Sequence, residues 1–356
     1  MDLKNYLSYI IETVSAYPTN VKKYLVKKLI EKGYARKDKN NNQISFDSSI
    51  DISDKDDSSA LTECINNKNE TIKEIEKWEF IKAYKYSVIF ECNKFDKVVG
   101  ELSKKENLTD YENEYLFDRI EEPVFYKEKE QLFLKFNLKY AVTHPATQEE
   151  LLLKYCIVVV FHAKEKLVEI RFDVLKKVFA IDQDSYINFI DTTKEYIEKT
   201  FDCKLCGMKL DYMVSVAKEK EDIKLIAQFM RLTTGGYAQL EVGNNKEYLL
   251  PLIGELKTIM ADYSDELSKA PILKDALEQF LIEKEEMSDY PWIEVLWEND
   301  IKTRSNHVKF VFNYMNKEYG LIQYYYNPVL LGMERMNDVI KYIASNKGYI
   351  ERKNKE

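Results

Sequence analysis

Two long apolar runs, LKYCIVVVFHA and KLVEIRFD, are separated only by the charged turn Lys164–Lys166. A parallel connection needs a crossover of a dozen or more residues. These two runs can therefore only fold back on each other as an antiparallel hairpin. Upstream, AYKYSVIFE and QLFLKFNLKYAV are also rich in β-branched and aromatic residues, the composition that suits a pleated, half-buried surface. The middle of the chain is thus read as an antiparallel sheet. In KLVEIRFD, Val168, Ile170 and Phe172 share one face, and Glu169 and Arg171 share the other. That alternation predicts a sheet covered on one side, with Glu169 and Arg171 as solvent-facing cross-strand charges.

Helical spacing brackets this sheet. With only 10 Gly and 7 Pro in 356 residues, regular elements with short connections are expected. Residues 2–17 carry Leu3, Tyr6, Leu7, Ile10, Ile11 and Val14 at three- and four-residue intervals, and Pro18 stops the pattern. Thr19 or Asn20 is a candidate N-cap for a second helix with Val21, Leu25 and Leu29 on one stripe, and Gly33 is its left-handed terminator. Further helices are predicted at about 59–80, 184–201 and 217–231, with hairpin character in YAQLEVGNNKEYLL. From Pro251 onward two helices lead into a β-meander (PWIEVLWE, HVKFVFNYM, YGLIQYYYN) and a closing helix, GMERMNDVIKYIASN. Its stripe of Met333, Met336, Val339 and Ile340 is the expected cover for the aromatic face of Val308, Phe310, Phe312 and Tyr314.

After Gly33, YARKDKNNNQISF alternates, turns through Lys39–Asn42 and alternates again, the pattern of a hairpin. Lys22, Lys23, Lys27, Lys28, Lys32, Arg36, Lys37 and Lys39 outnumber Glu31 and Asp38 here, a local reversal in a chain of net charge -8. Residues 21–46 resemble the second half of a winged helix-turn-helix, whose helix enters the major groove while its wing lies on a phosphate backbone. On that resemblance Lys22, Lys23, Lys27, Arg36 and Lys37 would contact nucleic acid. Only one helix precedes this one, where a winged helix has two. The same pattern also suits an amphipathic helix with a solvated lysine face on a larger domain.

Residues 47–77 are acidic, and DSSIDISDKDDSS reads as a linker. No window there has the Gly at position six and Glu at position twelve of a calcium loop. In TFDCKLCGMKLDY, Cys203 and Cys206 form a C-x-x-C. Half of a zinc knuckle and a redox pair are both weighed for it. Cys64, Cys92 and Cys156 are isolated and the three histidines, His144, His162 and His307, form no spaced pair. The motif follows a predicted helix C-terminus, where the dipole does not lower a thiol pKa. Two buried structural thiols in a turn after a helix are therefore expected, with no metal. The E-x-R of KLVEIRFD resembles the E-x-K strand of restriction-type nucleases, but no carboxylate lies on the preceding strand, and Arg does not give up a proton readily. No phosphate-loop, dinucleotide, nucleophile-elbow or zinc-protease motif is present.

The expected fold is α+β: a helical and wing-like module (1–46), an acidic linker (47–58), an α+β domain with a central antiparallel sheet and flanking helices (59–250), and a C-terminal unit of helices, β-meander and closing helix (251–356), which is either separate or continuous with the preceding domain. No stretch approaches the roughly 18 apolar residues of a membrane span, and five cysteines, an odd number mostly set in apolar runs, suit a reducing compartment. The chain is expected to be cytoplasmic. The functional expectation is a non-enzymatic binding or regulatory subunit. It would contact nucleic acid through Lys22, Lys23, Lys27, Arg36 and Lys37, and a protein partner through the aromatic C-terminal face of YGLIQYYYN, with Trp292, Trp297 and Tyr314 nearby. No cofactor is expected, and the oligomeric state stays open. The alternatives are a metal-dependent hydrolase or nuclease with an unfamiliar site, or a zinc-stabilised interaction module using Cys203 and Cys206.

Overall fold

A computed structural model describes residues 3–37, 49–104, 109–110, 122–128, 131–143, 150–175, 184–232, 236–241, 251–286, 289–298, 305–325 and 332–349. The fold is α+β, in two compact units: Met1–Cys206 with Asn327–Asn337, and Gly207–Tyr326 with Asp338–Glu356. The expected N-terminal module and linker both fall in the first unit, and the expected boundary at residue 250 falls inside the second.

The first unit opens with α1 (Leu3–Ser15) and α2 (Thr19–Glu31). Tyr6, Tyr9, Ile10 and Val14 of α1 and Val21, Leu25, Val26 and Leu29 of α2 are buried, as their spacing predicts. Neither Thr19 nor Asn20 caps α2. Pro18 holds the N-cap position with no side-chain bond, and its carbonyl accepts from the N–H groups of Val21 and Lys22 at 3.0 and 3.1 Å. Gly33 does end the helix, at φ 71°, and lets the Tyr34 N–H reach the Leu29 carbonyl at 2.9 Å. Two short strands, β1 (Ala35–Arg36) and β2 (Ile50–Asp51), pair in parallel. The turn and second strand of the expected hairpin lie outside the described residues.

The helix expected at about 59–80 is two helices, α3 (Asp57–Asn67) and α4 (Asn69–Ile81). Lys68 between them is extended, at φ -149° and ψ 108°. Asp56 caps α3 by accepting from the N–H groups of Ser58 and Ser59 at 2.8 and 3.0 Å. α3 packs against both α1 and α2.

Next come β3 (Tyr86–Cys92), α5 (Phe95–Leu102), β4 (Thr109–Asp110), β5 (Val124–Glu128), β6 (Gln131–Thr143), β7 (Glu150–His162), β8 (Leu167–Phe172), α6 (Ser185–Phe201) and β9 (Leu205–Gly207). The strands order as β3-β8-β7-β6-β5-β4, antiparallel except for the β4–β5 pair. The β7–β8 hairpin turns where its short connection requires, with Lys166 at φ 56°. β8 pairs with β7 only over Val158–His162. Near the start of β7, the N–H groups of Leu152 and Lys154 donate instead to Glu12 Oε2 and Thr13 Oγ1 of α1, at 3.2 and 3.0 Å. Helix α1 thus satisfies part of a strand edge.

The two faces of this sheet differ chemically. One is apolar: Phe161 meets Phe95 of α5, and Tyr155, Phe136 and Phe172 meet Phe189, Tyr196 and Tyr186 on or beside α6, with ring centroids 5.1–6.4 Å apart. Each large apolar side chain buried there contributes about 1.5–3 kcal/mol. The other face carries Lys135, Lys154, Glu169 and Arg171, yet it too is buried. The expectation of solvent-facing charges on β8 is therefore wrong: Glu169 and Arg171 are both 0% exposed. Alternation assigns residues to faces and does not determine what covers each face.

The second unit contains α7 (Tyr212–Glu219), β10 (Ile223–Leu232), β11 (Gly236–Glu241), α8 (Pro251–Asp262), α9 (Ser264–Ser268), α10 (Pro271–Glu286), β12 (Asp289–Glu298), β13 (Ser305–Val311) and β14 (Leu321–Tyr324). Helix α11 (Glu334–Asn346) begins in the first unit and ends in the second. The strands order as β11-β10-β12-β13-β14, all antiparallel. The meander is as expected. The helix expected at 217–231 is not: it is the end of α7 followed by β10, because β10 pairs along β12 on one side and β11 on the other. Ladder formation overrides local spacing there. The rest of the hairpin expected around YAQLEVGNNKEYLL, residues 242–250, lies outside the described residues.

Candidate functional site

The five basic residues singled out in the sequence do not form one surface. Lys23 and Lys27 project from the exposed side of α2, beside Lys28 and Lys32. Lys22 turns back instead, donating to the Ser15 carbonyl at 2.7 Å, and so ties the start of α2 to the end of α1. Arg36 lies 3.8 Å from Asp51, and Lys37 lies 3.5 Å from Asp57. On α2 itself, Lys27 and Lys28 approach Glu31 at 3.7 and 3.2 Å, and at its C-cap Lys32 approaches Glu74 of α4 at 3.7 Å. The acidic stretch after residue 47 thus supplies carboxylates to the basic one before it. These pairs are largely exposed, and such pairs are each worth only about 0–1 kcal/mol.

The densest set of ionisable groups was not legible as a site. Glu76 and Glu79, one turn apart on α4, meet Lys135 of β6 and Lys154 of β7 in a closed square. Lys154 Nζ is 2.6 Å from Glu76 Oε1 and 2.7 Å from Glu79 Oε2; Lys135 Nζ is 2.7 Å from Glu79 Oε2 and also binds Glu76. Tyr6 donates to Glu76 Oε1, the oxygen that Lys154 also binds, at 3.0 Å, and Tyr17 donates to the outer oxygen of Glu79, Oε1, at 3.1 Å. Burial pushes the Glu76 carboxyl up, but the two ammonium groups more than offset it and hold it well below the carboxylate range. Burial disfavours charge on Lys154, yet Glu76 and Glu79 hold its ammonium well above the usual lysine value. A lysine that acts as base or nucleophile needs the opposite shift. The square is a clamp between α4 and the sheet. Its sequence signal was a lysine set inside each of the apolar runs LFLKF and LLLKYC.

A second buried set lies further along the same face. Arg171 donates to Glu169 Oε2 from Nε at 2.8 Å and to Asn337 Oδ1 from Nη2 at 2.7 Å. His162 Nε2 lies 2.8 Å from Glu169 Oε2, and Gln131 exchanges hydrogen bonds with Asn337 at 3.1 and 3.2 Å. Burial raises the Glu169 carboxyl, but Arg171 and His162 bring it down to about 2. The E-x-R strand is thus an internal ion pair, with its carboxylate oriented toward protein donors.

Cys203 and Cys206 do follow the end of α6, whose C-cap Asp202 is left-handed at φ 46°. They do not both face the core: Cys206, on β9, is exposed and Cys203 is half-buried. Burial and the neighbouring Cys92 push the Cys203 thiol up to about 12. Among the described residues no three His, Cys, Asp or Glu side chains gather as a metal site.

The aromatic surface of the second unit is a strip on one face of its sheet. Phe229 stacks on Trp292 at 6.1 Å, and Lys309 Nζ lies 3.5 Å from the Trp292 ring centroid. Burial lowers the Lys309 pKa. Alongside, His307 Nε2 lies 2.6 Å from Glu294 Oε1, and its ring stacks on Tyr325 at 4.6 Å. Trp297 is not part of this strip. It is buried on the opposite face and stacks on Tyr342 of α11 at 4.7 Å.

No helix among the described residues is long and apolar enough to cross a membrane. The chain matches no protein-family model, no curated protein and no solved structure.

Proposed function

We propose that the chain is a cytosolic binding or regulatory subunit without chemistry of its own, which contacts nucleic-acid phosphates through the lysine side of α2 and a protein partner through the Trp292 strip. The observation that supports the first contact is the exposure of Lys23, Lys27 and Lys28 along one helix whose other side is buried, with the exposed Lys32 at its C-cap. Their carboxylate partners are surface ones, so a phosphate can replace them at little cost. The non-enzymatic reading is supported by the internal saturation of the buried charges: each carboxylate of the Glu76–Lys154 square is bound by two ammonium groups. The aromatic strip offers the Tyr and Trp area that interfaces enrich.

The test is fluorescence anisotropy with duplex DNA across a salt series, on the native chain and on a variant with Lys22, Lys23, Lys27, Arg36 and Lys37 changed to Gln. The expected result is binding that weakens linearly on a log–log salt plot, and a variant with lower affinity and a shallower slope. No binding by the native chain, or an unchanged variant, overturns the nucleic-acid contact.

A further inference from the structure

Large apolar side chains that stand in solvent are concentrated in one part of the second unit. Of the eight among the described residues, five fall in a single short segment: Ile259, Tyr263, Ile272, Leu273 and Phe280. A lone exposed apolar residue needs no explanation, but a group of them on one segment marks a surface that something covers. The segment is α8, α9 and α10, helices that pack chiefly on one another through α9.

Helix α10 carries the clearest case. Intervals of one, three and four residues put Ile272, Leu273, Ala276, Leu277 and Phe280 on one stripe. Ile272 is 86% exposed, Leu273 54% and Phe280 39%; Ala276 is exposed and Leu277 half-buried. On the side toward α8 and α9, Leu281 is buried and shares a cleft with Met260 and Leu267, and Lys274 and Glu278 of the same cleft pair at 3.7 Å. A surface helix normally turns its widest apolar stripe inward. Here that stripe faces solvent.

Two features of α10 say what covers it. The stripe matches its own reverse: turning the helix about the midpoint between Ala276 and Leu277 sets Leu273 against Phe280 and Ala276 against Leu277. The charges, in contrast, change sign along it. Lys269 and Lys274 outnumber Asp275 at the start, and Glu278, Glu283, Glu285 and Glu286 outnumber Lys284 toward the end. A parallel neighbour of the same sequence sets glutamates against glutamates, whereas an antiparallel one sets the basic half against the acidic half. A surface that matches its own reverse is what a two-fold interface requires, because each residue pair then occurs twice.

We propose that α10 is a self-association surface, on which the stripes of two copies of this chain pack antiparallel across a two-fold axis. The basic half of each helix lies beside the acidic half of the other. A helix of 16 residues is only about 24 Å long, so the interface is small and the dimer reversible.

The test is sedimentation equilibrium of the full chain over a concentration series, with three variants. The native chain is expected to pass from monomer to dimer as concentration rises. Ile272→Gln with Leu273→Gln and Phe280→Gln alters exposed positions only, so it should stay monomeric and keep the native Tm at the dilute end of the series. Lys269→Glu with Lys274→Glu, and Glu283→Lys with Glu285→Lys and Glu286→Lys, each set like charges together across the axis. Either one alone should associate about ten-fold more weakly or worse, and an equimolar mixture should recover the native strength, because each then meets its opposite. A native chain that is still monomeric at about 0.5 mM overturns the proposal and leaves the stripe to a different protein. So does undiminished dimerisation of the folded triple-Gln variant, or a mixture of the charge variants that associates no better than either alone.

Discussion

Lys154 Nζ lies 2.6 Å from Glu76 Oε1, and neither side chain is more than 1% exposed. Removing one charge from such a pair leaves the others buried and uncompensated, which costs about 3–5 kcal/mol, whereas replacing a whole buried set with apolar residues of similar volume is often neutral. Lys154→Met is therefore expected to lower the urea midpoint strongly. The quadruple change Glu76→Leu, Glu79→Leu, Lys135→Met, Lys154→Met should recover most of that loss. A Lys154→Met chain as stable as the native one would show that the square does not hold α4 to the sheet.

Acid should remove a stabilising contribution from this sheet face. Glu169 falls from an ordinary 4.5 to about 2 in the folded chain, and Glu76 is lowered too. A depressed carboxyl stabilises the fold fully above its unfolded value, and that contribution is lost as pH falls toward the folded one. For Glu169 it is worth roughly 3 kcal/mol, lost between about pH 5 and pH 2. Lys154 has the opposite sign: its raised pKa stabilises below the unfolded lysine value of about 10.4, so its contribution is lost only under strongly alkaline conditions. Urea melts between pH 7 and pH 2.5 should show this fall. Glu169→Gln should be less stable at pH 7 and change less with acid.

The sequence was most readable where geometry left few options. The turn between β7 and β8 is too short for anything but a hairpin, and the meander of β12, β13 and β14 alternates cleanly. It was least readable where distant segments decide. β10 has apolar residues at spacings that suit a helix or a strand, and only its pairing with β12 chooses between them. Glu169 and Arg171 were assigned to the correct face, but that face is buried. The lysines of the ionic square and Asn306 shared one visible signal, a polar residue interrupting an apolar strand pattern. Its meaning depends on what packs opposite: two carboxylates for the lysines, the Trp297 ring for the amide.

The C-x-x-C should behave as two unrelated thiols. Cys206 is exposed, while the Cys203 thiol is pushed up to about 12, which leaves less than about one thiolate in ten thousand at neutral pH. Cys64 and Cys156, pushed up to about 11 and 12, are similarly inert. Timed alkylation followed by peptide mass spectrometry should modify Cys206 well before Cys203, Cys64 or Cys156. Equal rates for Cys203 and Cys206, or protection of both that chelator removes, would restore the metal reading of the motif.

Lys22 and Lys23 are neighbours in sequence with different surroundings, so they separate a structural role from a binding one. Lys22 Nζ donates to the Ser15 carbonyl at the end of α1, satisfying one of the acceptors a helix leaves open at its C-terminus. Lys23 extends into solvent. Lys22→Gln should therefore lower stability by about 0.5–1.5 kcal/mol, the net worth of one such bond. Lys23→Gln should leave stability unchanged within about 0.5 kcal/mol, as an exposed surface substitution does. If α2 meets a phosphate backbone, the ranking reverses in binding: Lys23→Gln with Lys27→Gln reduces the salt slope by roughly one to two, and Lys22→Gln changes it less. A larger binding loss from Lys22→Gln than from the Lys23 and Lys27 pair would place the contact at the α1–α2 junction instead of on the exposed side of the helix.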